Sequence, residues 1–169
     1  MQARDRAKLE FSGPVSAGVI VSENRTVLSY AAGGWGSAIM APAISASRQY
    51  VEIEILGIYA DMICACVTLG VTSESSCSEK MHQLPTSWMF DAITGRFLPG
   101  EKNWGASASL PTKVGDRMGA LVDGGELWIS VNGKWVGPGA MASGLPRQPE
   151  VMMLFTSVVR HPCPLCVQL

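Results

Sequence analysis

The amino-acid sequence predicts an all-β protein, a sandwich of two antiparallel sheets. The segment "SRQYVEIEIL" (47–56) alternates strictly, placing Val51, Ile53 and Ile55 on one face and acidic side chains on the other, as a half-buried strand requires. Glycine and proline separate many such short runs, which is typical of tight turns between strands. The only helical prediction is a turn or two over Ala3–Leu9. Strands without intervening helices favour a sandwich.

The remaining strands follow in order along the chain. The segment "ICACVTLGVTS" (63–73) is apolar on both faces and is predicted to be a central strand. A polar loop, "ESSCSEKMHQLPT" (74–86), comes after it. Strand pairs are predicted in "AGVIVSENRTVLSYA" (17–31), around Glu23–Asn24, and in "SWMFDAITGRFLPG" (87–100), and the final strands lie in "VMMLFTSVV" (151–159) and "PLCVQL" (164–169).

The segment "GALVDGGELWISVNGKWVGPG" (119–139) predicts a β-meander. Asn-Gly at 132–133 tolerates the positive φ angles of a type I′ turn. The period of two directs Leu127, Ile129 and Val131 into a core. Two tryptophans, Trp128 and Trp135, flank the turn and are predicted to pack separately on the outer surface of the sheet. Trp88 is predicted to be a core residue.

Length and charge limit the functional classes. The 169 residues fit one domain, residues 1–169, with an N-terminal edge segment (1–18) and a sandwich core (19–169). A net charge of −1 gives no excess of positive charge of the kind that binds nucleic acid. No apolar run is long enough to cross a membrane, and the first residues do not resemble a secretory signal. We expect a soluble intracellular protein in the cytoplasm; the nucleus and a large cytoskeletal assembly stay open as alternatives.

Metal and redox chemistry are not predicted. Cys163 and Cys166 in "HPCPLC" are three residues apart, as in zinc knuckles. A four-ligand site needs a second pair, however, and only Cys77 and His82 remain outside the apolar strand. A redox pair would favour a helix N-terminus, which the neighbouring prolines oppose. We expect thiols in and beside a final strand, and no metal or cofactor.

No catalytic set is predicted either. His82 and His161 have no nucleophile and acid beside them in sequence. The segment "GGWGS" (33–37) lacks the lysine and helix of a phosphate-binding loop. Glu52 and Glu54 share one strand face, which suits a solvent-facing stripe. The chain is therefore predicted not to be an enzyme.

The segment "VGDRMGALVDGGELWISVNGKWVG" (114–137) resembles the core signature of the SPRY domain family. It has a Gly-Asp before an apolar strand ending in Asp, a short turn, and an alternating strand that closes on Asn-Gly-Lys. Upstream, "APAISASRQYVEIEIL" (41–56), "TLGVTS" (68–73) and "SWMFDAITGRFLPG" (87–100) resemble the preceding strands of the family, in the family's order. The resemblance covers roughly Val19–Leu169.

The resemblance implies a bent sandwich of concanavalin-like, jelly-roll architecture and a non-catalytic role in protein binding. In the family, loops at one face of the sandwich form a shallow pocket for a peptide or protein. The loops at the corresponding positions lie near Gly33–Trp35, Cys77–Lys80 and Val159–His161. The predicted contact residues are Gly33, Gly34, Trp35, Cys77, Ser78, Lys80, Trp104, Val159, Arg160 and His161.

Residue chemistry supports part of this site. Trp35 and Trp104 occur in glycine-containing segments that are predicted to be loops, and tryptophan is enriched at binding hot spots. Each could instead fold back as a lid over the end of the sandwich. If the three loops meet, an aromatic residue with Lys80 and Arg160 suits a peptide with an acidic or carbonyl-rich face.

Two functional classes remain open at this point. The first is an interaction module that binds a peptide or protein surface. The second is a structural subunit built permanently into a larger assembly, which low charge and nine methionines favour. Met81 and Met141 fall in predicted loops, where a free monomer would rarely expose them. An enzymatic or carbohydrate-binding role is a distant third.

Overall fold

The structure, a computed structural model, describes residues 10–22, 24–30, 34–40, 48–57, 65–77, 84–91, 95–98, 102–103, 114–137, 139–146, 150–157 and 165–168. These residues contain strands and turns but no helix, so none of them forms a helix able to span a membrane. The strands are β1 (Val19–Ser22), β2 (Val27–Tyr30), β3 (Gly34–Ile39), β4 (Arg48–Gly57), β5 (Ala65–Thr72), β6 (Ser87–Asp91), β7 (Arg96–Leu98), β8 (Lys102–Asn103), β9 (Arg117–Asp123), β10 (Glu126–Val131), β11 (Lys134–Trp135), β12 (Ala142–Ser143), β13 (Glu150–Ser157) and β14 (Leu165–Gln168).

The strands form two antiparallel sheets. The eight-stranded sheet has the order β1-β2-β14-β4-β9-β10-β11, with β12 also paired to β10. The six-stranded sheet has the order β3-β13-β5-β6-β7-β8. Strand β14, at the end of the chain, lies between β2 and β4, so strands from both ends of the chain are neighbours in one sheet.

A single apolar core fills the space between the sheets. The eight-stranded sheet contributes the row predicted from the meander, Leu127, Ile129 and Val131, and the six-stranded sheet contributes Leu69 and Phe90 among others. Phe11, which precedes β1, also belongs to this core. Burial of these side chains is the main favourable term that holds the two sheets together.

The predicted all-β sandwich is confirmed. The predicted pairs β1–β2 and β6–β7 are present, and β5 is central, between β13 and β6. Trp88 is partly buried and packs against the core. Met141 lies outside the strands, as predicted, but the expectation that it would be exposed in a free monomer is wrong. The residue is 5% exposed and belongs to the protein's own core, so it gives no support for a covering partner. The predicted helical turn at Ala3–Leu9 and Met81 lie outside the described residues.

The turn between β10 and β11 has the predicted type I′ geometry. Asn132 has a φ of 48° and Gly133 a φ of 75°, both in the left-handed region that this turn requires. Val131 pairs with Lys134 and Ser130 pairs with Trp135 across it. The turn therefore fixes which residue of β11 faces each residue of β10.

Substitution of Gly133 by alanine is expected to destabilise the fold through backbone strain alone. A Cβ at Gly133 would meet nothing within 4 Å, but the residue's φ is +75°. Left-handed backbone costs an L-residue about 1–2 kcal/mol, so the free energy of unfolding should fall by about that amount. Denaturant unfolding measures it.

The matched control is Gly139→Ala. A Cβ at Gly139 also meets nothing within 4 Å, and Gly139 is not among the residues with positive φ. Its free energy of unfolding should stay within about 0.5 kcal/mol of the parent. Equal effects of the two alanines would contradict the turn assignment.

Candidate functional site

The outer face of the eight-stranded sheet, which points away from the six-stranded sheet, carries a distinct set of side chains. Along β4, Val51, Ile53 and Ile55 are buried in the core, so Tyr50, Glu52 and Glu54 lie on the outer face. In the neighbouring strand β9, the residues opposite these three are Leu121, Gly119 and Arg117, respectively. Strand β10 adds Trp128 and Ser130, which pair with Leu121 and Gly119.

Tyr50, Trp128 and Trp135 form an aromatic cluster on this face. The ring centroids of Tyr50 and Trp135 are 6.4 Å apart at an interplanar angle of 84°, and those of Trp128 and Trp135 are 6.3 Å apart at 69°. Such edge-to-face pairs are a preferred aromatic arrangement. The prediction that Trp128 and Trp135 pack separately is wrong, because pairing of Trp135 with Ser130 sets it diagonally across from Trp128.

The aromatic cluster is partly covered and partly open. Leu121 points to the outer face between Tyr50 and Trp128, yet it is only 8% exposed, because the cluster lies over it. Trp135 is 52% exposed and Tyr50 is 45% exposed. The sheet therefore carries a small apolar layer on its outside, with open aromatic surface above it.

Hydrogen bonds hold the Tyr50 ring across the sheet. Its hydroxyl donates to Glu52 Oε2 at 2.8 Å, and the Ser130 Oγ lies 3.1 Å from the same hydroxyl. Because the single Tyr50 proton is given to Glu52, Ser130 is the donor in the second bond. Gly119 lies beneath: a Cβ there would collide with the Tyr50 hydroxyl and lie 2.5 Å from Ser130 Oγ. A glycine at 119 is thus required for this position of the ring.

The environment of Tyr50 favours its neutral form. Burial raises the pKa of the Tyr50 hydroxyl above its usual 10.0, and the hydrogen bond to Glu52 and the charge of Glu52 raise it further. The hydrogen bond with Ser130 acts in the opposite direction. The Tyr50 hydroxyl is therefore a stable hydrogen-bond donor at neutral pH rather than a proton-transfer group.

Charged side chains flank the aromatic cluster along the strands. Toward one end, the Arg117 guanidinium contacts Glu52 Oε1 at 3.4 Å and Glu54 Oε2 at 2.9 Å. Toward the other end, Arg48 Nε lies 3.4 Å from Asp123 Oδ2. These pairs are solvent-exposed and contribute little stability individually. The two pairs of Arg117 engage the Glu52 and Glu54 carboxylates that neighbour the cluster.

A groove opens beside the aromatic cluster, and we call it the outer groove. It has a volume of about 450 Å³ and is lined by Arg48, Tyr50, Leu121, Ser130, Gly133 and Trp135. The lining residues that the structure describes include no cysteine, histidine or carboxylate. Among the described residues there is also no group of three potential metal ligands. The described lining offers aromatic surface, one guanidinium and two hydroxyls. These groups can contact a ligand but do not form a catalytic site.

The predicted contact residues are placed differently from expectation where the structure describes them. Gly34 and Trp35 lie in strand β3, opposite Ser157 and Thr156, so the prediction of a loop at Trp35 is wrong. Gly34 is the first residue of β3, and its partner Ser157 is the last residue of β13. Strand β13 therefore ends at the same end of the sheet at which β3 begins. Gly33, Ser78, Lys80, Trp104, Val159, Arg160 and His161 lie outside the described residues.

Cys77 lies at the opposite end of the six-stranded sheet. Its thiol donates to the Pro14 carbonyl at 3.0 Å, and that carbonyl also accepts from the Ile39 amide at 3.0 Å. Ile39 is the last residue of β3 and Gly34 the first, about 17 Å away along an extended strand. The expected meeting of the Cys77 loop with the Trp35 segment at one end is therefore wrong.

Sequence reasoning did not identify the outer groove, although part of the signal was present. The Asn-Gly turn of two residues already implies that Ser130 faces Trp135, and the period of two puts Trp128 on the same face as Ser130. Tyr50 could not be added from the sequence, because its position depends on the pairing of β4 with β9, strands far apart in the chain.

Comparison with solved structures identifies the fold as that of SPRY domains. The SPRY domain of human HERC1 superposes with a TM-score of 0.66 at 16% identity, over 91% of this chain and 92% of that one. A further human SPRY domain gives 0.65 at 20% identity, over 92% and 96%. The NHR1 domain of Drosophila melanogaster Neuralized gives 0.63 at 9% identity, over 95% and 96%. No family model and no curated protein match the sequence. The resemblance to SPRY domains is confirmed at the level of the fold.

The raised pKa of Tyr50 gives a direct test of the geometry of the outer face. The difference between the ultraviolet titration curves of the parent and of Tyr50→Phe isolates this hydroxyl. It should ionise with a pKa above the usual 10.0. Because the raised pKa favours the neutral folded form, its stabilising contribution is present below pH 10.0 and is lost as pH rises through the folded pKa.

Glu52→Gln should move the titration of Tyr50 to lower pH, since it removes the carboxylate that accepts the hydroxyl proton. Glu126→Gln, on β10 of the same sheet, is the control and should leave it unchanged. Ionisation of Tyr50 at or below the ordinary pH, or an equal response to both substitutions, would contradict the hydrogen bond to Glu52.

Proposed function

We propose that this chain is a non-catalytic protein-interaction domain and that the outer groove is its contact surface. The observation that carries the proposal is the aromatic cluster, in which Trp135 remains 52% exposed on the outside of a folded sheet. Tryptophan and tyrosine are enriched among the residues that dominate binding energy. A large exposed aromatic surface beside a groove is typical of a site that a partner covers.

The rigidity of the groove supports a binding role. Its walls stand on paired strands, and the Tyr50 ring is tied to Glu52 and Ser130 by hydrogen bonds. Side chains that are already ordered lose less entropy when a ligand binds, so more of the contact energy appears as affinity. A preformed groove of this kind suits recognition of a short peptide segment.

The chemistry of the groove supports recognition rather than catalysis. The Ser130 hydroxyl is engaged with Tyr50, and none of the described lining residues is a base that could activate it. The SPRY family, which the sequence resembles, is known for protein interaction, and this chain has the same fold. We infer the same general role, in an intracellular protein.

A second location stays proposed for the contact surface, namely the loops predicted from the sequence. In support of this location, Gly34 pairs with Ser157, so β3 begins and β13 ends at the same end of the sheet. Permanent incorporation into a larger assembly is the alternative role. Its support is exposed apolar side chains away from the groove, such as Ile20 at 53% and Val114 at 57%.

Trp135→Ala should separate these possibilities. Loss of an aromatic anchor typically costs about 2 kcal/mol or more of binding energy, roughly thirtyfold in affinity, while an exposed side chain adds little to folding. Quantitative capture of binding proteins from native lysate should therefore fall roughly thirtyfold, with the thermal midpoint near that of the parent.

Ile20→Ala, which also truncates an exposed apolar side chain, is the matched control and should leave capture intact. Capture that survives Trp135→Ala but is lost in Arg160→Ala would assign binding to the predicted loops instead. Size-exclusion chromatography tests the assembly alternative, because a permanent subunit should aggregate without its partners, whereas a module should be a monodisperse monomer.

A further inference from the structure

We propose that the outer groove binds a proline-rich peptide in the polyproline II conformation, with an acidic side chain among its prolines that pairs with Arg48. This inference rests on the proposed function and adds the chemistry of the partner. Three properties of the groove lead to it: its size, the balance of its hydrogen-bonding groups, and its charge.

The size of the groove favours an extended peptide over a helix. An α-helix with its side chains is about 10–12 Å wide and needs a row of apolar contacts over several turns. Among the described residues, the apolar lining here consists of Tyr50, Leu121 and Trp135, with polar Ser130 and Arg48 beside them. A single extended chain, with one or two rings against the aromatic walls, matches this lining.

The hydrogen-bonding groups of the groove favour a ligand that accepts rather than donates. The Ser130 Oγ and the Glu52 carboxylate are already engaged by Tyr50 and Arg117. Trp135 contacts the rings of Tyr50 and Trp128. Among the described residues, no acceptor is bonded to its indole N–H. Donors are therefore available in the groove, whereas the nearby side-chain acceptors of Ser130 and Glu52 are engaged.

Proline-rich segments have the complementary chemistry. Proline has no backbone N–H, and a polyproline II segment has no internal hydrogen bonds, so its carbonyls are free acceptors. A β-strand peptide would bring amide donors, for which the described side chains of the groove offer no unengaged acceptor. Aromatic-lined grooves are a recurrent docking site for polyproline II peptides, whose preformed shape lowers the entropy cost of binding. The perpendicular rings of Tyr50 and Trp135 provide such a groove.

The charge of the groove specifies an acidic rather than a basic peptide. Arg48 is the one charged residue among the described residues of its lining, and its side chain is 67% exposed. Only its Nε contacts Asp123, at 3.4 Å, and no further partner is bonded to it within the described part of the chain. The outer edge of the guanidinium can therefore take a carboxylate in the bidentate geometry that arginine favours.

The test uses the native chain and fluorescence anisotropy of a short labelled probe containing Pro-Pro-Asp-Pro-Pro. Companion probes replace the aspartate by asparagine, or all prolines by serine. We expect the parent to bind the aspartate probe about tenfold or more tighter than the asparagine probe, as loss of a charge-assisted hydrogen bond predicts. The serine probe should not bind measurably.

Two variants assign the contacts. Trp135→Ala should abolish binding of both proline probes, and Arg48→Gln should remove the preference for aspartate over asparagine. Arg25→Gln, at another exposed arginine, is the control for charge and should preserve that preference. Because Arg48 is exposed, Arg48→Gln keeps the test valid even if Trp135→Ala fails to fold.

Several results would overturn the inference: equal binding of the serine probe, no binding of any proline probe, or an aspartate preference that survives in Arg48→Gln. The proposed function is judged separately by protein capture. If capture depends on Trp135 while no proline probe binds, the groove is the contact surface but the ligand class is wrong. If proline probes bind but capture does not depend on Trp135, the proposed function fails.

Discussion

The side chain of Asn132, the first residue of the β10–β11 turn, is hydrogen-bonded to the beginning of β9. The arrangement of side chains on the outer face depends on this attachment. Its Nδ2 donates to Asp116 Oδ1 at 3.1 Å, and its Oδ1 accepts from the Arg117 amide at 2.8 Å. The backbone amide of Asn132 donates to the Arg117 carbonyl at 2.9 Å. Asp116 and Asn132 belong to the Gly-Asp and Asn-Gly pairs of the SPRY-like signature, so these two parts of the motif are joined directly. A slip of one residue in this register would turn Trp135 to the opposite side of its strand.

With this register fixed, the two faces of the eight-stranded sheet take different roles. Its inner face supplies apolar side chains to the core. Its outer face uses Gly119 to admit the Tyr50 ring, and Glu52 and Ser130 to hold it. The same bonds occupy the acceptors near the groove and leave donors available. The core side chains and the proposed contact surface therefore lie on opposite sides of the same strands.

The sequence was sufficient to predict the fold because its signals are local. The alternation around Val51 and Ile53 and the turn at Asn132 and Gly133 each act within a few residues. Glycine near Trp35 suggested a loop, but pairing with β13 made that segment a strand. The groove depends on long-range register between β4, β9 and β10, which no local pattern specifies. The position of Cys77 likewise depends on its contact with the distant Pro14.

The most direct test of the Asn132 attachment is nuclear Overhauser contact between the Tyr50 and Trp135 rings in Asn132→Gly. Glycine suits the positive φ at this position, and the Gly124–Gly125 turn has the same backbone pattern, with φ of 57° and 84°. The substitution therefore removes both side-chain bonds without straining the backbone at residue 132, so a changed position of Trp135 would report the loss of those bonds. We predict that the ring-to-ring contact is lost and that core amides of β5 stay protected from hydrogen exchange. An unchanged contact between the two rings would contradict the central role of Asn132.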